Sequence, residues 1–254
     1  MGNLFYELGR LAGPAWRKGA WVWRTLAGTD REILAAEEAV GRDLARAFAQ
    51  EMPPEDDAAV QDRVAALGAK LAARVRNKLR RFNFAVVRAE APNAFALPGG
   101  FVFVTRPLID LVGAHDEELA FVLAHEMGHV VNQDPIQRLL ADSTIAAAMR
   151  ALPGSGLAGS WVRSVGARVL QSSYSQDREL SADEAGVRLA RAAGFDPFGS
   201  VRLLARLRDA AEARDPGGSL APFFATHPPF ELRTREIDRF LRLTGPADRG
   251  SCGS

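Results

Sequence analysis

Residues 119–131 read Leu119-Ala120-Phe121-Val122-Leu123-Ala124-His125-Glu126-Met127-Gly128-His129-Val130-Val131. Positions i and i+4 of a helix lie on one face, one turn apart, so His125 and His129 reach the same point in space. Glu126 sits beside them, where a carboxylate can hold and deprotonate a water. The flanking residues are apolar all round, which predicts a buried helix over 116–133. Two histidines and a glutamate on a buried helix need partners, because unpaired buried polar groups are costly. A surface helix with accidental histidines would not explain the apolar flanks. The arrangement points to a divalent metal, and imidazole donors suit zinc.

The rest of the composition narrows the donor set. The chain has 254 residues, four histidines and one cysteine, Cys252. Cysteine zinc clusters and an intramolecular disulfide are therefore excluded, and any zinc is held by His and carboxylates. A third protein ligand and an open fourth position are needed. Arg178-Glu179-Leu180-Ser181-Ala182-Asp183-Glu184-Ala185-Gly186 supplies the best candidate. Glu179 and Asp183 share a helical face, and Gly186 and Ala190 continue that stripe, so this helix can approach another closely. Alone, the segment reads as a solvated acidic face. Beside the upstream histidines, Glu179 is the expected third ligand. Asp183 is then expected to accept from the free ring N–H of a ligand histidine.

Apolar residues make up 47% and charged residues 25%, with a net charge of +1. These values fit a globular chain with a sizeable core and give no electrostatic case for nucleic acid. No stretch approaches the ~18–20 apolar residues of a membrane-spanning helix, and the N-terminus has no signal-peptide pattern. A cytoplasmic protein is the expectation. Residues 1–29 form a Trp/Arg-rich arm with Trp16, Trp21 and Trp23 among Arg17, Lys18 and Arg24. That arm either packs onto the domain or makes peripheral membrane contact.

Periodicity predicts helices over 31–50, 56–81, 107–113, 116–133, 135–151, 161–174, 177–193, 197–213 and 230–243. The helix over 56–81 is expected to finish on the basic stretch Arg74 to Arg81. Strands are expected from Phe82 to Ala91, over Phe95-Ala96-Leu97 and over Phe101–Val104, with a tight turn at Pro98-Gly99-Gly100. The fold class is α+β and mainly helical, with a small sheet or hairpin. One domain over 30–244 follows the arm, and 245–254 is a tail. A Pro/Gly/Ser break, Pro153 to Ser160, is a candidate lid over the cleft.

Four segments together resemble the M48 zinc metallopeptidases, the family that includes the CAAX prenyl protease and HtpX. They are the His125–His129 motif, Glu179-x-x-x-Asp183, Asn93-Ala94-Phe95-Ala96-Leu97-Pro98-Gly99-Gly100, and Thr226-His227-Pro228-Pro229 with Arg233 after it. They occur in the family's order across residues 80–240, and the missing spans make the bacterial-type members without them the nearer analogy. The resemblance implies a zincin-like fold, one zinc ion per chain, and a protein or peptide substrate. It implies that Asn93, Ala94, Phe95, Ala96 and Leu97 bind substrate as an exposed edge strand, the alternative being a plain hairpin. It brings His227 near the metal, either as a donor to the developing oxyanion or as a fourth ligand that holds the enzyme latent. Arg233 stabilises the site or pairs with Asp183 or Glu126. The implied activity is that of a metalloendopeptidase. The rival reading is a latent, chaperone-like binding protein that keeps the zinc.

Overall fold

The structure, a computed structural model, describes residues 29–141, 174–214, 227 and 230–244. The Trp/Arg-rich arm, the expected helix at 161–174 apart from its last residue, the Pro153–Ser160 break and the tail lie outside these residues. The expected helix over 135–151 is described only to Ala141.

In chain order the elements are α1 (Asp30–Glu51), α2 (Ala58–Ala72), β1 (Asn83–Val87), β2 (Ala94–Leu97), a 3-10 turn (Pro98–Gly100), β3 (Phe101–Thr105), α3 (Arg106–Val112), α4 (Asp116–Val131), α5 (Asp134–Ala141), α6 (Gln176–Ala192), α7 (Gly199–Arg214) and α8 (Phe230–Thr244). Thr29 and Glu32 close a capping box on α1, satisfying first-turn N–H groups that otherwise lack partners. The fold is α+β and mainly helical, as the periodicity indicates.

α2 stops at Ala72, short of the basic stretch expected to finish it. Val75 turns into the core, Lys78 Nζ donates to the Ala73 carbonyl, and Asn77 Oδ1 accepts from Leu79 N–H. Side chains here satisfy main-chain groups that a continuing helix would have used. The first strand likewise ends at Val87 rather than Ala91.

The sheet has the order β1-β3-β2, with β1 parallel and β2 antiparallel to β3. Its alternation sorts side chains into two cores. Val86, Ala94, Ala96, Val102 and Val104 face a cluster containing Leu119, Leu123 and Met127 of α4. Val87, Phe95, Leu97 and Phe103 face Leu44 and Phe48 of α1 and Ile136 and Leu139 of α5. Phe95 stacks on Phe103 at 5.2 Å and meets Phe48 in a tilted contact at 5.4 Å.

The two edges of this sheet differ. Along β1, Glu55 N–H donates to Val86 O, Arg88 N–H donates to Pro53 O, and the Gln61 amide brackets Val86 from both sides. β2 is the opposite edge. Its residues are buried whole, Ala94 at 1% and Ala96 at 3% exposure, so the expectation of an exposed strand needs correction. Thr105 N–H donates to Asn93 O, which makes that facing pair hydrogen-bonded. Facing pairs alternate in an antiparallel ladder, so Phe95 and Leu97 bond to β3 while the main-chain groups of Ala94 and Ala96 turn away from it. Asn93 Oδ1 accepts the Ala94 N–H and thereby closes the start of the edge.

Pro98-Gly99-Gly100 docks on α1. Gly99 has φ +74°, and a side chain there would lie 2.4 Å from Glu38 Cα. At the other end of the core, α4 and α6 touch almost backbone to backbone. A Cβ on Gly128 would sit 3.0 Å from Ala182 O, and one on Gly186 would sit 3.0 Å from His125 N. Glycine at both crossing points brings Glu179 and Asp183 within reach of His125 and His129. Among the described residues no helix is long and apolar enough to cross a membrane.

Candidate metal centre

His125 and His129 stand one turn apart on α4, and their Nε2 atoms lie 3.2 Å from each other. Each ring's other nitrogen is already engaged. His125 Nδ1 is 2.9 Å from Asp183 Oδ1, and His129 Nδ1 is 2.9 Å from Asp134 Oδ2. A carboxylate beside Nδ1 selects the tautomer that donates there, which leaves an unprotonated lone pair at Nε2. Two Nε2 atoms facing each other in a buried site repel unless a proton or a metal cation lies between them.

α6 completes the group. Glu179 Oε1 lies 3.2 Å from His129 Nε2, and Glu179 Oε2 lies 3.6 Å from His125 Nε2. Oε1 is buried and has no hydrogen-bond partner among the described residues. His227 enters from the far end of the chain, its Nδ1 2.9 Å from Glu179 Oε2 and its Nε2 3.8 Å from Glu126 Oε1. One ligand atom each from His125, His129, Glu179 and His227 falls within 4.8 Å of all the others, and all four residues are buried. This donor set, with an orphaned carboxylate oxygen and two converging imidazole nitrogens, fits a divalent transition metal.

The sequence profile of peptidase family M48 matches residues 58–241, which span every residue just named. The chain belongs to peptidase family M48.

Among its relatives, the mitochondrial metalloendopeptidase OMA1 of Schizosaccharomyces pombe is 34% identical over 160 residues, covering 61% of this chain and 45% of that protein. A protease HtpX homolog of Desulfatibacillum aliphaticivorans is 32% identical over 204 residues, covering 63% and 61%. The metalloprotease YcaL of Escherichia coli is 31% identical over 160 residues, covering 61% and 60%. The chain thus spans about half to three-fifths of the length of these relatives.

In this M48 chain the supporting groups carry their own supports. Arg233 of α8 grips Asp183 with two nitrogens, Nε at 2.8 Å and Nη2 at 2.6 Å, and its Nη1 lies 3.6 Å from Glu179 Oε2. Of the two partners expected for Arg233, Asp183 is therefore the one it meets. Burial opposes the charge on Asp183, but Arg233 outweighs it and the pKa falls to about 2. Burial likewise opposes the charge on Glu179, and His227 and His129 outweigh it, holding that carboxyl far below the usual range. His129 is pushed up to about 9 because Asp134 and Glu179 overcome its burial, so without metal it carries a proton that a bound metal would displace, whereas burial wins at His125 and lowers it.

Three members of the site were not anticipated from the M48 sequence. Asp134 holds His129, Arg178 lies 3.2 Å from the Asp134 carboxylate, and Tyr174 stacks on the His129 ring. Asp134 follows the motif by five residues, but a helix start with Pro135 explains an Asp there equally well. What aims it at His129 is Gln133, whose φ of +62° reverses the chain between α4 and α5. His115 stands at the N-cap of α4 without a capping bond and has no place in the site.

Proposed function

We propose that this chain is a zinc-dependent endopeptidase that hydrolyses peptide bonds of protein substrates. His125, His129 and Glu179 hold one zinc ion, and Glu126 is the general base. One observation carries this reading: the two Nε2 lone pairs and the unbonded Glu179 oxygen converge beside the buried Glu126 carboxylate. Zinc, when bound, supplies Lewis acidity toward water and the scissile carbonyl oxygen. Glu126 accepts a proton from water and returns it to the departing amine. Asp183 and Asp134 keep both ligand rings in the metal-binding tautomer, and Arg233 keeps Asp183 ionised.

The β2 edge of the sheet is the proposed substrate cradle. The Ala94 carbonyl and the main chain of Ala96 turn away from β3, and an extended peptide would pair with them, adding a strand without demanding particular side chains. Asn93, Phe95 and Leu97 shape that edge from within. Hydrolysis of small amides would have no use for such a strand, so a polypeptide substrate is favoured.

A second reading is a latent, chaperone-like protein in which His227 serves as a fourth ligand. Its ligand atom lies close enough to the other three for that role. Zinc content and casein hydrolysis together separate the readings. The unaltered chain is expected to cleave casein, and Glu126→Gln to bind zinc fully while losing about 100-fold or more of the rate. Equal inertness of both, with zinc bound, would overturn the peptidase reading. If His227→Ala then awakens casein hydrolysis, the latent reading stands. If it slows an active enzyme, His227 acts on the developing oxyanion.

A further inference from the structure

Tyr174 precedes the N-cap of α6 and belongs to none of the motifs discussed. Its ring lies 4.1 Å from the His129 ring, with 23° between their planes. On its other face the Arg138 guanidinium carbon sits 3.4 Å from the ring centroid. Arg138, Tyr174 and His129 thus form one column of flat groups. Arg138 comes from α5, which also supplies Asp134. The same short helix therefore grips His129 twice, along its edge through Asp134 and across its face through Tyr174.

The two grips constrain different motions. A single hydrogen bond at Nδ1 fixes the in-plane direction of the imidazole but allows the ring to tilt about the N–H···O axis. A parallel aromatic face removes that tilt. The neighbour of His125 on its own helix does less: the Phe121 ring is 6.1 Å away and inclined by 53°. Tilting His129 would swing its Nε2 lone pair off the point it shares with His125 and Glu179, and zinc–nitrogen bonds of about 2.0–2.1 Å leave little room for that. A metal-bound imidazole is also electron-poor, so it attracts the electron-rich tyrosine face more strongly than a neutral ring does.

We propose that Tyr174, backed by Arg138, is a positioning residue that fixes the plane of the His129 ring and so raises metal affinity. This rests on the metal reading above. The test uses the full chain stripped of metal, with zinc titrated in competition with a chromophoric chelator. Tyr174→Phe keeps the ring and is expected to bind zinc within about threefold of the unaltered chain. Tyr174→Leu loses the ring and is expected to bind about tenfold or more weakly, the usual scale for removing a group that orients a metal ligand. In cobalt-loaded protein the visible bands should move in Tyr174→Leu and stay put in Tyr174→Phe.

A purely packing role predicts the reverse pattern, a lower melting temperature for metal-free Tyr174→Leu with unchanged zinc affinity, and that result would overturn the proposal. So would Tyr174→Phe binding as weakly as Tyr174→Leu. Should Tyr174→Leu fail to fold, Arg138→Met decides: weaker zinc binding supports the column, and unchanged binding refutes it. An unaltered chain that takes up no zinc would instead strike the metal reading itself.

Discussion

At the scale of single residues, the site is decided by what occupies each Nδ1. Asp183 and Asp134 take those nitrogens and leave two Nε2 atoms with a shared target. Asp183 can play that part only while ionised, and Arg233 secures this with a bidentate grip inside the core. The pKa of Asp183 falls from 3.8 to about 2, so the folded state releases this proton more readily than the unfolded chain does. Stability from the pair is therefore fully present above the unfolded value near 4 and is lost as pH falls through about 2. The expected loss in metal-free protein across that window is on the order of 2 kcal/mol. Urea unfolding at a series of pH values checks it, and Asp183→Asn should flatten the slope there. An unaltered slope in that variant would assign the acid sensitivity elsewhere. Replacing Arg233 by Met is a harsher test. It strands a buried carboxylate and should destabilise the fold by about 3–5 kcal/mol, seen as a drop in the urea midpoint.

At the scale of elements, the crossing of α4 and α6 decides whether the proposed ligands meet at all. Gly128 and Gly186 let the backbones touch, and a side chain at Gly186 would press on His125 N. Gly186→Val should push α6 away, destabilise the fold by about 1–3 kcal/mol and strip the protein of zinc. A Val variant with full zinc content would mean the contact is incidental. Much of this was legible beforehand. The i, i+4 histidines, the Glu179/Asp183 stripe and its small residues are periodic signals, and period survives from sequence to helix. The ends of elements were less legible. Nothing in the pattern of 73–81 announces that Asn77 and Lys78 will satisfy the main chain and stop α2 early. Asp134 and Tyr174 were missed for a related reason. Their partner His129 is fixed by a chain reversal at Gln133 and by the docking of α5, which no short-range spacing records.

At the scale of the whole molecule, β1 and β2 are the two edges of the sheet, and β2 lays Ala94 and Ala96 against the helix that carries both histidines. Burial of every β2 side chain was not foreseen, because Phe95-Ala96-Leu97 alternates large and small rather than apolar and polar. The ladder nonetheless predicts which residue a substrate strand would use. Ala96 turns its main chain away from β3, so Ala96→Pro removes an outward N–H and leaves the β2–β3 bonds intact. Phe95→Pro removes a bond within the sheet. Ala96→Pro should therefore keep its zinc content and lower the melting temperature less than Phe95→Pro does, while KM for an extended peptide rises about tenfold, the worth of about one hydrogen bond. Phe95→Pro should lower the melting temperature whatever the substrate. If the two prolines exchange these behaviours, the strand is read in the wrong phase. If Ala96→Pro leaves KM untouched, the polypeptide binds somewhere other than this edge.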